Sequence, residues 1–318
     1  MFYLGIRVRV RALGMRGLRK ALNLVFAGLM VLNLHPSTAM NRFLLLFAIL
    51  AFFPTGAGSS AGMSPPRVQS RVPIPDGLVV ITQLPKELPQ RISGLAYDGE
   101  KLWMTIYLGR GRYAMFDPSN DRWKVSERSE QHDAIKQVAG SFESPGSLCF
   151  AGDKLWIGGS YGDSFGSIDL QTWKVNRIFK GRYREGRGTQ SYTGLVFDGT
   201  HLWIAWHWSK YNIPRSQTQL LLKIDPETGK VIQDFPLPAG TASDMTHGLA
   251  WDGKQLWHVK DQLLSAIDPS NGAVTAQYKL LLLNRPSGLA WDGKSLWITE
   301  FRGRIWRLPF QQETLARF

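Results

Sequence analysis

Glu300 and Glu143 are two glutamates of this 318-residue chain that stand where the sequence pattern breaks, just after and just before otherwise uniform stretches. A carboxylate held beside a reacting amine can take one proton and return another to a leaving group, so both are candidate general acid/bases. Cations (Arg91, Lys260, Arg285, Arg302), imidazoles (His207, His247), one further acid (Asp261) and aromatics (Tyr107, Tyr161, Tyr192, Trp206, Trp208) occupy comparable positions. Together they suit a small polar ligand or a peptide end: cations for a carboxylate, aromatic walls for the remainder. Sharper chemistry is missing. The chain has no His-Glu-x-x-His pair, Gly-x-Ser-x-Gly elbow, phosphate loop or dinucleotide fingerprint. Asp244 with His247, or His207 with Glu300, would give a metal only two ligands, so no metal and no cofactor is expected. The single cysteine, Cys149, excludes an internal disulfide, and between Leu148 and Phe150 it reads as a small buried hydrophobe.

The elements that must position these residues follow from a repeat. Gly288 to Trp297 (GLAWDGKSLW) recurs as GLAWDGKQLW from Gly248, GLVFDGTHLW from Gly194, SLCFAGDKLW from Ser147 and GLAYDGEKLW from Gly94. The closing tryptophans (103, 156, 203, 257, 297) are 53, 47, 54 and 40 residues apart. Periods of this size, each with several short strands, specify β-propeller blades. In each unit the Gly-Leu stretch starts an inner strand, Asp-Gly turns it, and Leu-Trp opens the second strand. A third strand ends at Asp-Pro (Asp117, Asp225, Asp268) or Asp-Leu (Asp169), and an outer strand follows. The fifth unit has only Arg304 to Phe310 left for a third strand, whereas Leu78 to Leu84 is a strand with no blade of its own. The sequence therefore predicts an all-β, five-bladed β-propeller whose ring is closed by an N-terminal strand joining the last blade, which removes open edges. The repeated tryptophans and turn aspartates belong to this frame.

Chain direction sorts the loops. The uniform Asp-Gly and Asp-Pro turns fall on one face, while the two-to-three loops and the blade-to-blade connections fall on the other. That irregular face is where a funnel for ligand is expected, with His247 and Glu300 directed toward the axis. The third unit departs furthest from the period. Its Trp203 to Asp225 interval is 22 residues against 14, 13 and 11 elsewhere, and Ala205 to Gln219 reads as an aromatic loop able to act as a lid. Ser126 to Val138 reads as a short helix over the first blade edge, and Lys180 to Gly188 as a basic segment.

Residues 1–62 carry seven Lys/Arg and no acid. Met40-Asn-Arg, the apolar run Phe43 to Phe53 and the small residues at 59–61 form a secretory signal pattern, so residues 1–62 are expected to be an over-extended start plus a signal peptide beginning at Met40. Residues 63–76 are a Pro-rich spacer and residues 77–318 the propeller. Outside the leader 31 basic residues face 25 acidic ones, so the formal net charge of +13 falls to +6, too little to predict nucleic-acid binding. A secreted or periplasmic protein is expected, touching membrane only through its leader if that stays uncleaved. The expected partner is a peptide or small polar ligand, with an envelope protein as a further partner.

Five blades, the Gly-Leu-Ala-x-Asp-Gly-x-x-Leu repeat, the Ile-Asp-Pro-x-Thr-Gly turn and an ending on the last blade's third strand resemble the plant and bacterial glutaminyl cyclotransferases. The resemblance covers roughly residues 77–310 and implies a five-bladed propeller that converts N-terminal glutamine to pyroglutamate. It would give the proton transfers to Glu300 or Glu143 and the pocket wall to Trp206 or Trp208. The family's Glu-Ser-Thr-Gly-Leu-Tyr-Gly stretch falls on Ile157 to Gly162, which keeps Tyr161-Gly162 and lacks the glutamate; Gly146 stands where its Thr-Gln-Gly-Leu has glutamine. The sequence thus supports an exported propeller that binds ligand in its funnel, with cyclotransferase chemistry as the alternative.

Overall fold

A computed structural model of the chain describes residues 79–310 apart from 87–90, 107–110, 127–129, 141–144, 161, 163, 181–187, 211–216 and 238–247. All of them belong to the second of the chain's two units, Gln69–Phe318. The strands are β1 (Val79–Gln83), β2 (Ile92–Tyr97), β3 (Leu102–Ile106), β4 (Tyr113–Asp117) and β5 (Arg122–Val125), then, after helix α1 (Glu130–Ala139), β6 (Pro145–Ala151), β7 (Lys154–Gly159), β8 (Ser164–Asp169) and β9 (Val175–Lys180). There follow β10 (Gly188–Phe197), β11 (Leu202–Lys210), β12 (Gln217–Ile224), β13 (Val231–Pro236), β14 (Gly248–Trp251), β15 (Leu256–Lys260), β16 (Leu263–Ile267) and β17 (Val274–Lys279). The last three are β18 (Pro286–Trp291), β19 (Ser295–Glu300) and β20 (Arg304–Pro309). They form five antiparallel four-stranded sheets, β2 to β5, β6 to β9, β10 to β13, β14 to β17, and a fifth in the order β1-β20-β19-β18. This is the five-bladed propeller that the repeat predicts. The N-terminal strand closes it, with Val79 opposite Arg307 and Gln83 opposite Arg304.

The repeated Asp and Trp act as one device. In blades one, three, four and five the turn aspartate accepts the backbone N–H groups two and three residues on at Oδ1 and the indole N–H at Oδ2. The indole bonds are 2.6 Å (Trp103 to Asp98), 2.7 Å (Trp203 to Asp198), 2.7 Å (Trp257 to Asp252) and 2.6 Å (Trp297 to Asp292). Blade two has Ala151 at this place. The glycine that follows each aspartate takes a positive φ (106°, 99°, 95° and 93° at Gly99, Gly199, Gly253 and Gly293), which a side chain would strain. Replacing Asp252 by Ala should orphan one indole and two amide donors and cost about 1–3 kcal/mol, read as a fall in Tm. Asp252→Asn, which keeps an acceptor oxygen, should cost less.

Strand alternation fixes which side chains enter which seam. Leu102, Met104 and Ile106 pack with Trp297 and Ala290 of blade five, whereas Trp103 and Tyr113 pack with Leu148, Leu155 and Ile157 of blade two. The same rule runs round the ring: the leucine of each second strand faces the preceding blade and the tryptophan faces the following one. Helix α1 closes the first seam on its irregular face, with Ala134, Ile135 and Val138 joining that cluster. Gly159 is required there, because a Cβ would lie 2.3 Å from the Ala139 carbonyl oxygen.

Candidate functional site

The inner strands are bent at the lip of the irregular face. In β2, β6, β10 and β18 the register slips one residue before the start of the repeat, at Ser93, Gly146, Thr193 and Ser287. Two of these residues repair the broken ladder with a hydroxyl, Thr193 donating to the Ala205 carbonyl (3.1 Å) and Ser287 to that of Thr299 (3.4 Å), whereas Ser93 donates across to the Pro145 carbonyl of blade two (2.8 Å). Such bulges re-aim the chain at a sheet end. His247 holds the corresponding sequence position in blade four and lies outside the described residues, as do Tyr107, Glu143 and Tyr161.

Trp206, His207 and Trp208 are on strand rather than loop. β11 runs on to Lys210 and β12 begins at Gln217, so the long third interval is mostly an extended hairpin, with residues 211–216 outside the described set. The reason is a period of two. Ile204, Trp206 and Trp208 share the face toward blade two, where Trp206 is fully buried and Trp208 partly so, while Ala205 and His207 take the other face. Tyr192, opposite Trp206 on β10, is buried in the same seam, 5.3 Å from the Phe165 ring. The Trp206 indole N–H lies 3.4 Å from Gln190 Oε1.

Alternation brings a polar set into the seam between blades three and four. Trp203 and Ala205 pack with Leu249 and Leu256 of blade four, and His207, next on their side, points into that seam. From the other wall Leu256 faces blade three while Trp257 and Val259 face blade five. His258 and Lys260 therefore lie on the side of Leu256 and meet the third blade. All three polar residues are buried, at 0%, 1% and 3% exposure for His207, His258 and Lys260. The position of His258 is apolar in every other blade: Met104, Ile157, Ile204 and Ile298. Burial, and next the Lys260 ammonium, push the imidazole of His258 down to about 3, so it is neutral at any ordinary pH. His258 is the residue that the sequence reading passes over. Its signal is there, as the one break in an apolar column of five. A neutral imidazole offers one donor and one acceptor, and a lysine beside it suits an anionic or carbonyl oxygen.

The remaining residues gather at the seams on either side of blade five. Glu300, 2% exposed, accepts the Asn284 N–H (2.8 Å) and the Trp306 indole N–H (3.0 Å) on Oε1, with Arg304 3.9 Å from Oε2. Its carboxylate fastens the connection into β18 onto β20. Arg285, in that connection, has φ +58°, and Asp261 has φ +53°. Arg285 and Arg91 both approach Phe301, at 4.6 and 5.9 Å from guanidinium carbon to ring centroid. Arg302 is exposed, and its carbonyl accepts Gln83 Nε2 (2.8 Å). Among the described residues no group of three His, Cys, Asp or Glu is arranged to hold a metal ion, and no helix there is long and apolar enough to cross a membrane.

No family model and no curated protein matches the chain. Among solved structures it is similar to the glutaminyl cyclase of Myxococcus xanthus, at 12% identity over 72% of this chain and 94% of that one, with a TM-score of 0.49. It is also similar to virginiamycin B lyase of Staphylococcus aureus, at 12% identity over 74% and 99% of the two chains, with a TM-score of 0.41. The five-bladed scaffold stands on the chain's own sheets, and these likenesses say nothing about the site.

Proposed function

We propose that this chain is an exported propeller that binds a peptide or small polar ligand in the funnel on its irregular face, with the deepest polar contacts in the seam between blades three and four. One observation carries the reading: a buried His258, where every other blade has Met or Ile, beside Lys260, with the buried His207 assigned to the same seam by strand alternation. A packed core tolerates such a substitution at a cost in stability, and buried ionisable groups gathered at the mouth of a ring mark functional sites. The secretory pattern of the leader supports export. The family resemblance supports N-terminal glutamine as the first ligand to try, with cyclisation as the enzymatic alternative. In that alternative Glu300 would have to exchange its bonds to Asn284 and Trp306 for substrate.

The test is a titration of the purified chain with a glutaminyl dipeptide, following tryptophan fluorescence and ammonia together. A saturable fluorescence change without ammonia is expected. Ammonia release that disappears in Glu300→Gln would replace binding by cyclotransferase activity. A flat fluorescence titration without turnover would reject this class of ligand.

A further inference from the structure

We propose that the irregular face docks on a membrane surface carrying anionic lipid, through an apolar turn at Leu281 and Leu282 and the Lys and Arg side chains around it. This is a membrane contact separate from the leader, and it holds whether or not the funnel takes a peptide. Seven large hydrophobics are exposed among the described residues. Five of them (Val79, Val80, Val231, Ile232 and Val274) begin outer strands, at the ends nearer the uniform turns. Leu281 and Leu282, at 49% and 65% exposure, are the other two, and they stand together in the connection from β17 to β18 on the irregular face. Scattered single apolar side chains are ordinary on a surface; an adjacent pair at a tip is not.

The pair is held out rigidly. The Leu283 N–H reaches the Leu280 carbonyl (3.1 Å), so residues 280–283 form a β-turn with Leu281 and Leu282 at its two corners. Leu280 and Leu283, at 0% and 1% exposure, anchor it in the cluster between blades four and five. From the hairpin between β15 and β16 the Gln262 carbonyl accepts the Leu280 N–H (2.8 Å), and Gln262 Nε2 donates to the Leu281 and Leu283 carbonyls (3.3 and 3.0 Å). The Asn284 N–H then meets the buried Glu300 carboxylate (2.8 Å). Turn corners ordinarily take Gly, Pro, Asn, Asp or Ser. Neither corner here has a positive φ, so leucine brings no backbone strain, and its cost is apolar surface left in water.

Charge around the tip has one dominant sign. Lys279, paired with Leu263 at the irregular end of blade four, is exposed, and so is Arg302 in the hairpin of blade five. Lys86 is exposed as well, two residues beyond Leu84, whose N–H bonds Gly303 of that hairpin. The acids described at these ends are Asp261, partly buried, and Glu300, buried and 3.9 Å from Arg304. A protruding apolar tip flanked by cations matches acyl chains beneath a layer of lipid phosphates: the leucines leave water and the cations stay with the headgroups. Two copies of this chain meeting by the same surface would bring like charges together, which disfavours self-association. Docking in this pose turns the mouth of the funnel toward the membrane.

The experiment is co-sedimentation of the full chain with vesicles of phosphatidylcholine alone or of phosphatidylcholine mixed with phosphatidylglycerol. The wild type should bind the mixed vesicles. Leu281→Ser and Leu282→Ser should each weaken that partitioning about tenfold, and Lys279→Gln and Arg302→Gln each about fivefold. Lys124→Gln, an exposed change on the outer strand of blade one, should leave it unaltered. Leu282→Cys carrying an environment-sensitive fluorophore separates contact at the turn from contact at the apolar leader, since Cys149 is buried and leaves one site for the label. Its emission should shift to the blue with mixed vesicles and revert in high salt. Binding that the double serine variant retains in full, a label that vesicles do not move, or equal binding to neutral vesicles overturns the proposal. A concentration-dependent dimer that the double serine variant abolishes, with no response to lipid, overturns it in favour of a second copy.

Discussion

A chain lacking residues 79–85 should lose cooperative unfolding at room temperature, or melt far below the intact protein. β1 is the outer strand of the last blade and closes the ring from the other end of the chain. Leu84 is 1% exposed in the cluster that joins blades five and one, and Ile81 packs against that cluster. The Leu84 N–H reaches the Gly303 carbonyl at 2.8 Å, and Thr82 Oγ1 lies 3.4 Å from the indole nitrogen of Trp123 on blade one. Leu84→Ala alone should cost about 2–5 kcal/mol as a buried leucine truncation. Removing the whole strand adds the ladder with β20 and exposes an edge, against a total stability typically of about 5–15 kcal/mol. Circular dichroism on heating reads both changes. A deletion that melts with the wild type would mean that the ring does not depend on its closure.

His258→Ile should make the protein more resistant to mild acid. In the folded state the imidazole titrates at about 3, against an ordinary value of 6.5. Between those values the unfolded chain binds a proton that the folded chain refuses. Stability is therefore fully present above pH 6.5 and is lost as pH falls from 6.5 toward 3, by about 1.4 kcal/mol per pH unit. From pH 6.5 to 4.5 the wild type should lose about 2 kcal/mol by this route, and the isoleucine variant should not. The comparison stops at pH 4.5 because the turn aspartates, such as Asp225 and Asp268, titrate below the usual carboxylate range in both proteins. Urea unfolding at pH 7, 6, 5 and 4.5 gives the two slopes, and parallel slopes would contradict a buried neutral imidazole. Isoleucine is the test residue because Ile157, Ile204 and Ile298 occupy the same column.

The frame was open to sequence reading because each blade is specified locally. Asp98, Gly99 and Trp103 lie within six residues, and the carboxylate that bonds the turn also bonds the indole, so one short motif reports a complete strand-turn-strand unit. Closure was legible too, since Leu78 to Leu84 and Arg304 to Phe310 are each incomplete alone. The site is another matter. His207 and His258 are 51 residues apart, and only the alternation of two strands in two blades shows that they enter one seam. Reading Ala205 to Gln219 as loop hid that alternation, because a strand carrying three large polar-tipped aromatics looks like an insertion until its two faces are separated. Glu300 illustrates the opposite limit. Its place after Trp297 suggests the axis, yet its partners, Asn284 and Trp306, come from a connection and a strand that the motif does not mention.

The measurement closest to the central claim is a calorimetric titration of a glutaminyl dipeptide into the wild type, Lys260→Met and His207→Ala, with Tm confirming that each variant is folded. The account predicts saturable binding to the wild type and affinity weakened about tenfold or more in both variants, since each loses a buried polar contact to the ligand. Wild-type binding that persists unchanged in two folded variants would place the ligand elsewhere and contradict the assignment of the seam between blades three and four.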